Sequence, residues 1–68
     1  MDRVQVASSN ILSIGYDPST QVLEVEFISG AVYQYFNVPE AEFESFLNAG
    51  SKGTYFNANI KQYPFTKC

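Results

Sequence analysis

The stretch Val22–Phe36, VLEVEFISGAVYQYF, restricts the fold more than any other part of the chain. From Val22 to Ile28 the residues alternate, with Leu23, Val25 and Phe27 on one face and Glu24 and Glu26 on the other. That is the pattern of a strand with one buried and one wet side, which belongs to an antiparallel sheet. Ser29-Gly30 interrupts the run, and a second strand follows with Tyr33-Gln34-Tyr35 on it. Two loops compete to join the strands. A two-residue Ser29-Gly30 loop pairs Ile28 with Ala31 and sets Glu24 opposite Tyr35. A three-residue loop, closed by Gly30 in the left-handed conformation, pairs Phe27 with Ala31, Val25 with Tyr33 and Leu23 with Tyr35. The second is favoured, because it gathers all the apolar and aromatic side chains on one face and because a primed two-residue turn asks for Gly first or for Asn-Gly. Both tyrosines then point inward beside Leu23 and Val25.

Upstream, residues 1–10 are mixed polar and small, and a loosely held lead-in is expected there. Ile11–Tyr16 reads as a strand with Leu12, Ile14 and Tyr16 on one face and Ile11, Ser13 and Gly15 on the other, Gly15 marking a bulge or a close backbone approach. Asp17-Pro18-Ser19-Thr20 is a type I turn signal that reverses the chain.

Downstream, Asn37-Val38-Pro39 opens a helix with Glu40, Glu42 and Glu44 near the positive end of its dipole, and Gly50 closes it. Phe43, Phe46 and Leu47 make one apolar stripe at helical spacing, to lie on the sheet. Ser51 caps a second short helix that runs through Ile60, with Phe56 and Ile60 on its buried face and Tyr55 partly exposed. Pro64 stops it, leaving Tyr63-Pro64-Phe65 as an extended tail on the sheet edge or a short edge strand. The expected fold is α+β: a small antiparallel sheet of about three strands in a β-meander, packed against one helix and followed by a second. A chain of 68 residues makes one domain, with an ordered core from about residue 8 to 65.

The function classes narrow by elimination. There is no histidine and only one cysteine, Cys68, expected as an exposed terminal thiol without a role. No set of zinc ligands, no catalytic constellation and no cofactor motif is present, so an enzyme is the least expected class. The first ten residues lack a signal-peptide core and no run reaches membrane-spanning length, which makes a cytoplasmic protein without a membrane the expectation. Charge is uneven: residues 1–50 hold seven acids against Arg3, a net of −6, whereas residues 51–68 hold Lys52, Lys61 and Lys67 with no acid. The C-terminal third is the only basic surface.

An ordered set of short motifs carries a family resemblance. Ser8-Ser9-Asn10-Ile11, Gly15-Tyr16-Asp17, Leu23-x-Val25-x-Phe27, Ser29-Gly30, Tyr33-x-Tyr35, Val38-Pro39, Phe43, and Ala49-Gly50-Ser51-x-Gly53-x-Tyr55-Phe56-Asn57 with Ile60 resemble the KTSC domain. That module is named for lysyl-tRNA synthetase C-termini and also occurs as free-standing bacterial proteins. The resemblance implies an association with RNA or with an RNA-binding protein, and it supplies no catalytic residues.

Two groups of candidate binding residues follow. Tyr33 and Tyr35 can form a stacking platform for single-stranded RNA, although the favoured register turns them toward the core as scaffold. Gly50-Ser51-Lys52-Gly53-Thr54, with Tyr55, Asn57 and Lys61 nearby, offers hydroxyls, backbone amides and positive charge to an anion. The leading expectation is a non-enzymatic binding module, RNA- or tRNA-associated through the basic segment 51–67. The alternative is a protein-interaction or assembly module that uses a sheet edge or an aromatic patch.

Overall fold

Gly30 adopts φ 97°, and the Phe27 amide bonds to the Ala31 carbonyl at 2.8 Å across the three-residue loop. In the computed structural model, which describes residues 1–68, this loop joins β3 (Val22–Phe27) to β4 (Val32–Tyr35). Leu23 pairs with Tyr35 and Val25 with Tyr33, the register expected from the Gly30 loop. Before β3, β2 (Ile11–Asp17) arrives through a turn in which the Asp17 carboxylate accepts from the Ser19 amide and hydroxyl.

The sheet is larger than the pattern predicts, with five strands rather than three, all antiparallel and in sequence order. β1 (Arg3–Gln5) adds to β2 where a loose lead-in is expected, and β5 (Phe65–Lys67) adds to β4, which resolves the tail as an edge strand. Both outer strands are three residues long and exposed throughout, so they carry no apolar alternation for a reader of the sequence to detect.

Alternation in β2 is also broken. Ile11 pairs with Phe27 and Ser13 with Glu26, so Leu12 is the extra residue of a bulge. Ile11 is thereby turned into the core at 1% exposure and Leu12 out of it at 38%, the reverse of the expected faces. Gly15 is the close approach: a Cβ there would stand 2.8 Å from both the Arg3 Cγ and the Asp2 carbonyl oxygen. That space lets Arg3 cross over β2 and reach Glu24 at 3.2 Å and Glu26 at 3.7 Å. Ser13 and Gln34 bond to the same two glutamates, so the wet face is a cross-strand network rather than a bare row of acids.

The other face carries the core, which comprises Ile11, Ile14, Leu23, Val25, Tyr35, Val38, Phe46 and Ile60. α1 (Glu40–Leu47) lays Phe46 on it, and Phe43 stacks on Tyr16 at 4.9 Å between centroids. The Tyr16 hydroxyl donates to the Val38 carbonyl at 2.5 Å, which pins the α1 entry to β2. The helix ends at Leu47, where the Asn48 side chain donates to the Glu44 carbonyl; Gly50, expected to close it, lies beyond the end and outside the left-handed region. α2 (Lys52–Tyr55) follows, its Thr54 amide bonded to Ser51 Oγ as the capping pattern predicts. It passes into a single π-helical turn, Phe56–Ile60, closed by the Lys61 amide on the Phe56 carbonyl. No helix is long and apolar enough to cross a membrane.

The packing of Arg3 over Gly15 makes a testable statement. Gly15→Ala is expected to push β1 off the sheet at a cost of about 1–3 kcal/mol. Hydrogen exchange checks it: the amides of Arg3–Gln5 and their β2 partners should lose protection while the β3–β4 ladder keeps its own.

Candidate functional site

The sheet's core face is only partly covered. α1 and the π turn close over Leu23, Val25 and Tyr35, while the hairpin end of β3 and β4 is left open. The result is a groove of about 890 Å³ whose lining includes the rings of Phe27, Tyr33, Tyr35, Phe56 and Phe65. Phe27 and Tyr33 form its hairpin wall, edge to face at 5.8 Å. Phe56 of the π turn closes the opposite wall, edge-on to Phe27 at 5.4 Å and to Tyr35 at 5.6 Å. Phe65 of β5, 57% exposed, flanks Tyr33 at 5.8 Å. Asn10, Asn57 and Lys61 supply polar groups at the rim.

Tyr35 is buried to 4%, yet it lines the groove. Burial, with a smaller contribution from the neighbouring Tyr33, pushes its hydroxyl up to about 12. Tyr33 is only half-buried. The expectation that both tyrosines turn toward the core holds for the face they occupy, while Tyr33 keeps part of its surface open. The register also sets Lys67 directly opposite Tyr33, on the same side of the sheet.

A second, smaller depression of about 380 Å³ adjoins the first and is polar. One wall is the loop before β2, where Ser8 Oγ accepts from the Asn10 and Ile11 amides. The other is the turn into α2, which brings Ser51, Lys52, Gly53, Thr54 and Asn57 together as the sequence suggested. Lys52, one of the lining residues, donates from Nζ to the Ala49 carbonyl at 2.6 Å, so its ammonium is anchored just after α1 rather than waving in solvent. Ser8, Ser9 and Asn10 line this depression too, although the sequence placed them only in a lead-in and in the family resemblance, because the contact joins segments about 40 residues apart and leaves no local spacing to read.

Tyr55 does not belong with the others. Its ring stacks on Phe46 at 5.6 Å, and its hydroxyl donates to the Glu42 carboxylate, which also accepts from the Tyr63 hydroxyl at 3.0 Å. The hydrogen bond to Glu42 is the main cause that raises Tyr55 above the usual tyrosine range, with desolvation adding to it; for Tyr63, burial comes first and the Glu42 bond second. Glu42 is thus a clamp that ties α1 to α2 and to the turn before β5. No group of three or more His, Cys, Asp or Glu side chains converges as a metal site.

Charge separates cleanly. Neither depression has a carboxylate in its lining, although the chain is acidic overall at −3. Glu24 and Glu26 are on the far face with Arg3, and Glu42 is engaged by tyrosines.

A five-stranded antiparallel meander with two short helices across one face, leaving an open aromatic groove at the hairpin end, defines a small α+β domain. The chain belongs to the KTSC domain family, whose model matches residues 7–65. It is similar to the crystal structure of a KTSC domain protein of Yersinia pestis, with a TM-score of 0.96 and 44% identity over 98% of this chain and 96% of that one. It is 49% identical over 61 residues to an uncharacterised protein of Stutzerimonas stutzeri, covering 90% of this chain and 86% of that protein. It is also 49% identical over 53 residues to a lysine–tRNA ligase of a Nostoc species, where the match covers 78% of this chain but 9% of the ligase. None of the three indicates a catalytic family for this domain.

Two outcomes follow from the tyrosines. Because folding raises Tyr35 from 10.0 to about 12, its contribution to stability is full below pH 10.0 and is lost as pH rises through about 12. Alkaline titration followed by circular dichroism should show unfolding in that window, moved to higher pH in Tyr35→Phe. Glu42→Ala, which strips the acceptor from two tyrosine hydroxyls, should cost about 2 kcal/mol in a denaturant melt.

Proposed function

We propose that this domain is a non-enzymatic module that binds single-stranded RNA at the aromatic groove. One observation carries the reading: rings of Tyr33, Phe65, Phe56 and Phe27 line a groove free of carboxylates, with Lys61 at its rim and Lys67 beside Tyr33. Unpaired bases stack on such rings with little regard for sequence, and lysines set at the rim meet the phosphates that run past. The occurrence of the same domain in lysine–tRNA ligases supports an RNA partner. Relative to the reading from sequence, the aromatic groove moves to the centre of the site, Lys61 and Lys67 flank it, and Tyr55 leaves it.

Titration of short single-stranded RNA at several salt concentrations tests the proposal. Tyr33→Ala should weaken binding by about 1–3 kcal/mol, about 5- to 150-fold in affinity. Lys61→Glu should weaken it further at low salt and make the dependence of log affinity on log salt shallower by about one or more. Absence of binding at low salt, or affinities unchanged in both variants, removes the reading.

A second reading, a protein-interaction module, is favoured by one different observation. Val4 on β1 is 52% exposed, and β1 leaves one side of the sheet unpaired, a template for an added strand. A chain that sediments as a monomer at high concentration and captures no partner strand counts against it.

A further inference from the structure

We infer that the two depressions form one bipartite site whose recognised unit is a whole nucleotide, the aromatic half taking the base and the polar half the ribose and phosphate attached to it. The inference rests on the RNA reading above and narrows it from stacked bases to a nucleotide with its backbone. The linings of the two depressions share Ser9, Asn10, Gly53 and Asn57, so the halves meet along one junction rather than lying on separate surfaces.

The halves differ in chemistry as the parts of a nucleotide do. Rings and aliphatic side chains dominate the first, which suits a flat base with two apolar faces. The second has Ala7 as its one hydrophobic residue and otherwise offers hydroxyls, amides, glycines and Lys52. Hydroxyls and amides both donate and accept, as a ribose 2′-hydroxyl requires of its partners, and an ammonium that spends one donor on the Ala49 carbonyl has others for a phosphate oxygen. The absence of any carboxylate from either lining removes the repulsion that would exclude a phosphodiester.

Gly53 marks the junction. It stands in α2 outside the left-handed region, and a Cβ added to it would meet only Asn10 Nδ2, at an ordinary 3.8 Å. Glycine therefore answers no backbone or packing need of the fold, while it costs about 1 kcal/mol in a helix relative to alanine. The two halves meet at this residue with Asn10 beside it, so a small side chain is accommodated there and a bulky one fills the junction.

The test uses the full chain with two probes, a single-stranded oligouridylate and free uridine, followed by NMR chemical-shift titration at several salt concentrations. Lys52 lines the polar half alone, so Lys52→Gln should weaken oligouridylate binding and make its salt dependence shallower by about one, with uridine affinity held within about twofold. Gly53→Leu, which fills the junction, should weaken oligouridylate by about tenfold, whereas Gly53→Ala stays within about twofold and melts no lower than the parent chain. Uridine should move the ring signals of Tyr33 and Phe65.

Three results overturn the inference while leaving RNA binding intact. They are oligouridylate affinity unchanged in both Lys52→Gln and Gly53→Leu, equal losses for uridine and oligouridylate in Lys52→Gln, and uridine that leaves those ring signals unmoved. An oligouridylate that fails to bind the parent chain at low salt overturns the inference and the RNA reading together.

Discussion

The left-handed conformation of Gly30 is the constraint on which the rest of the molecule depends. A strand's side chains alternate with period two, so a one-residue slip at this loop would exchange the faces of β4 against β3. With the three-residue loop, Leu23, Val25, Phe27, Tyr33 and Tyr35 share one face, and Glu24 and Gln34 share the other. The core, the groove and the polar network each follow from that assignment. The two-residue alternative would have set Tyr35 opposite Glu24, splitting the aromatic rings between core and solvent.

A second consequence comes from economy of material. With 68 residues the chain has one eight-residue α-helix and a shorter α–π segment to spread over a five-stranded sheet. Eight residues of helix rise about 12 Å, less than the sheet's width at about 4.8 Å per strand. Cover is therefore complete over Leu23 and Val25 and runs out toward the Phe27 and Tyr33 end. The π turn works in the same direction, since its extra residue places Ile60 in the core and Phe56 at the groove wall. The groove is the part of the sheet that α1 and the α–π segment leave uncovered.

Electrostatics sharpen the difference between the two faces. Arg3, a residue of an edge strand with no apolar signal, crosses over Gly15 and partners Glu24 and Glu26. Glu42, on the helix, is held by the Tyr55 and Tyr63 hydroxyls rather than facing solvent with Glu44. An acidic chain thus keeps its carboxylates away from both depressions, and a composition-level charge of −3 says little about the field at the groove.

The chain's local chemistry by itself determined the β2–β3 turn, the Gly30 hairpin and its register, the Phe46 stripe and the Ser51 cap, because each depends on residues within a few positions of one another. The basic character of Lys52, Lys61 and Lys67 was legible for the same reason. Tertiary structure alone decided the outer strands β1 and β5, the Leu12 bulge that turns Ile11 inward, and the diversion of Tyr55 to Glu42. It also decided that Ser8–Asn10 meets Gly50–Thr54. These are pairings between segments distant in sequence, selected by which unpaired edge and which uncovered surface remain once the hairpin has formed. No local period records them, so the meeting of these segments became visible only when the chain was closed upon itself.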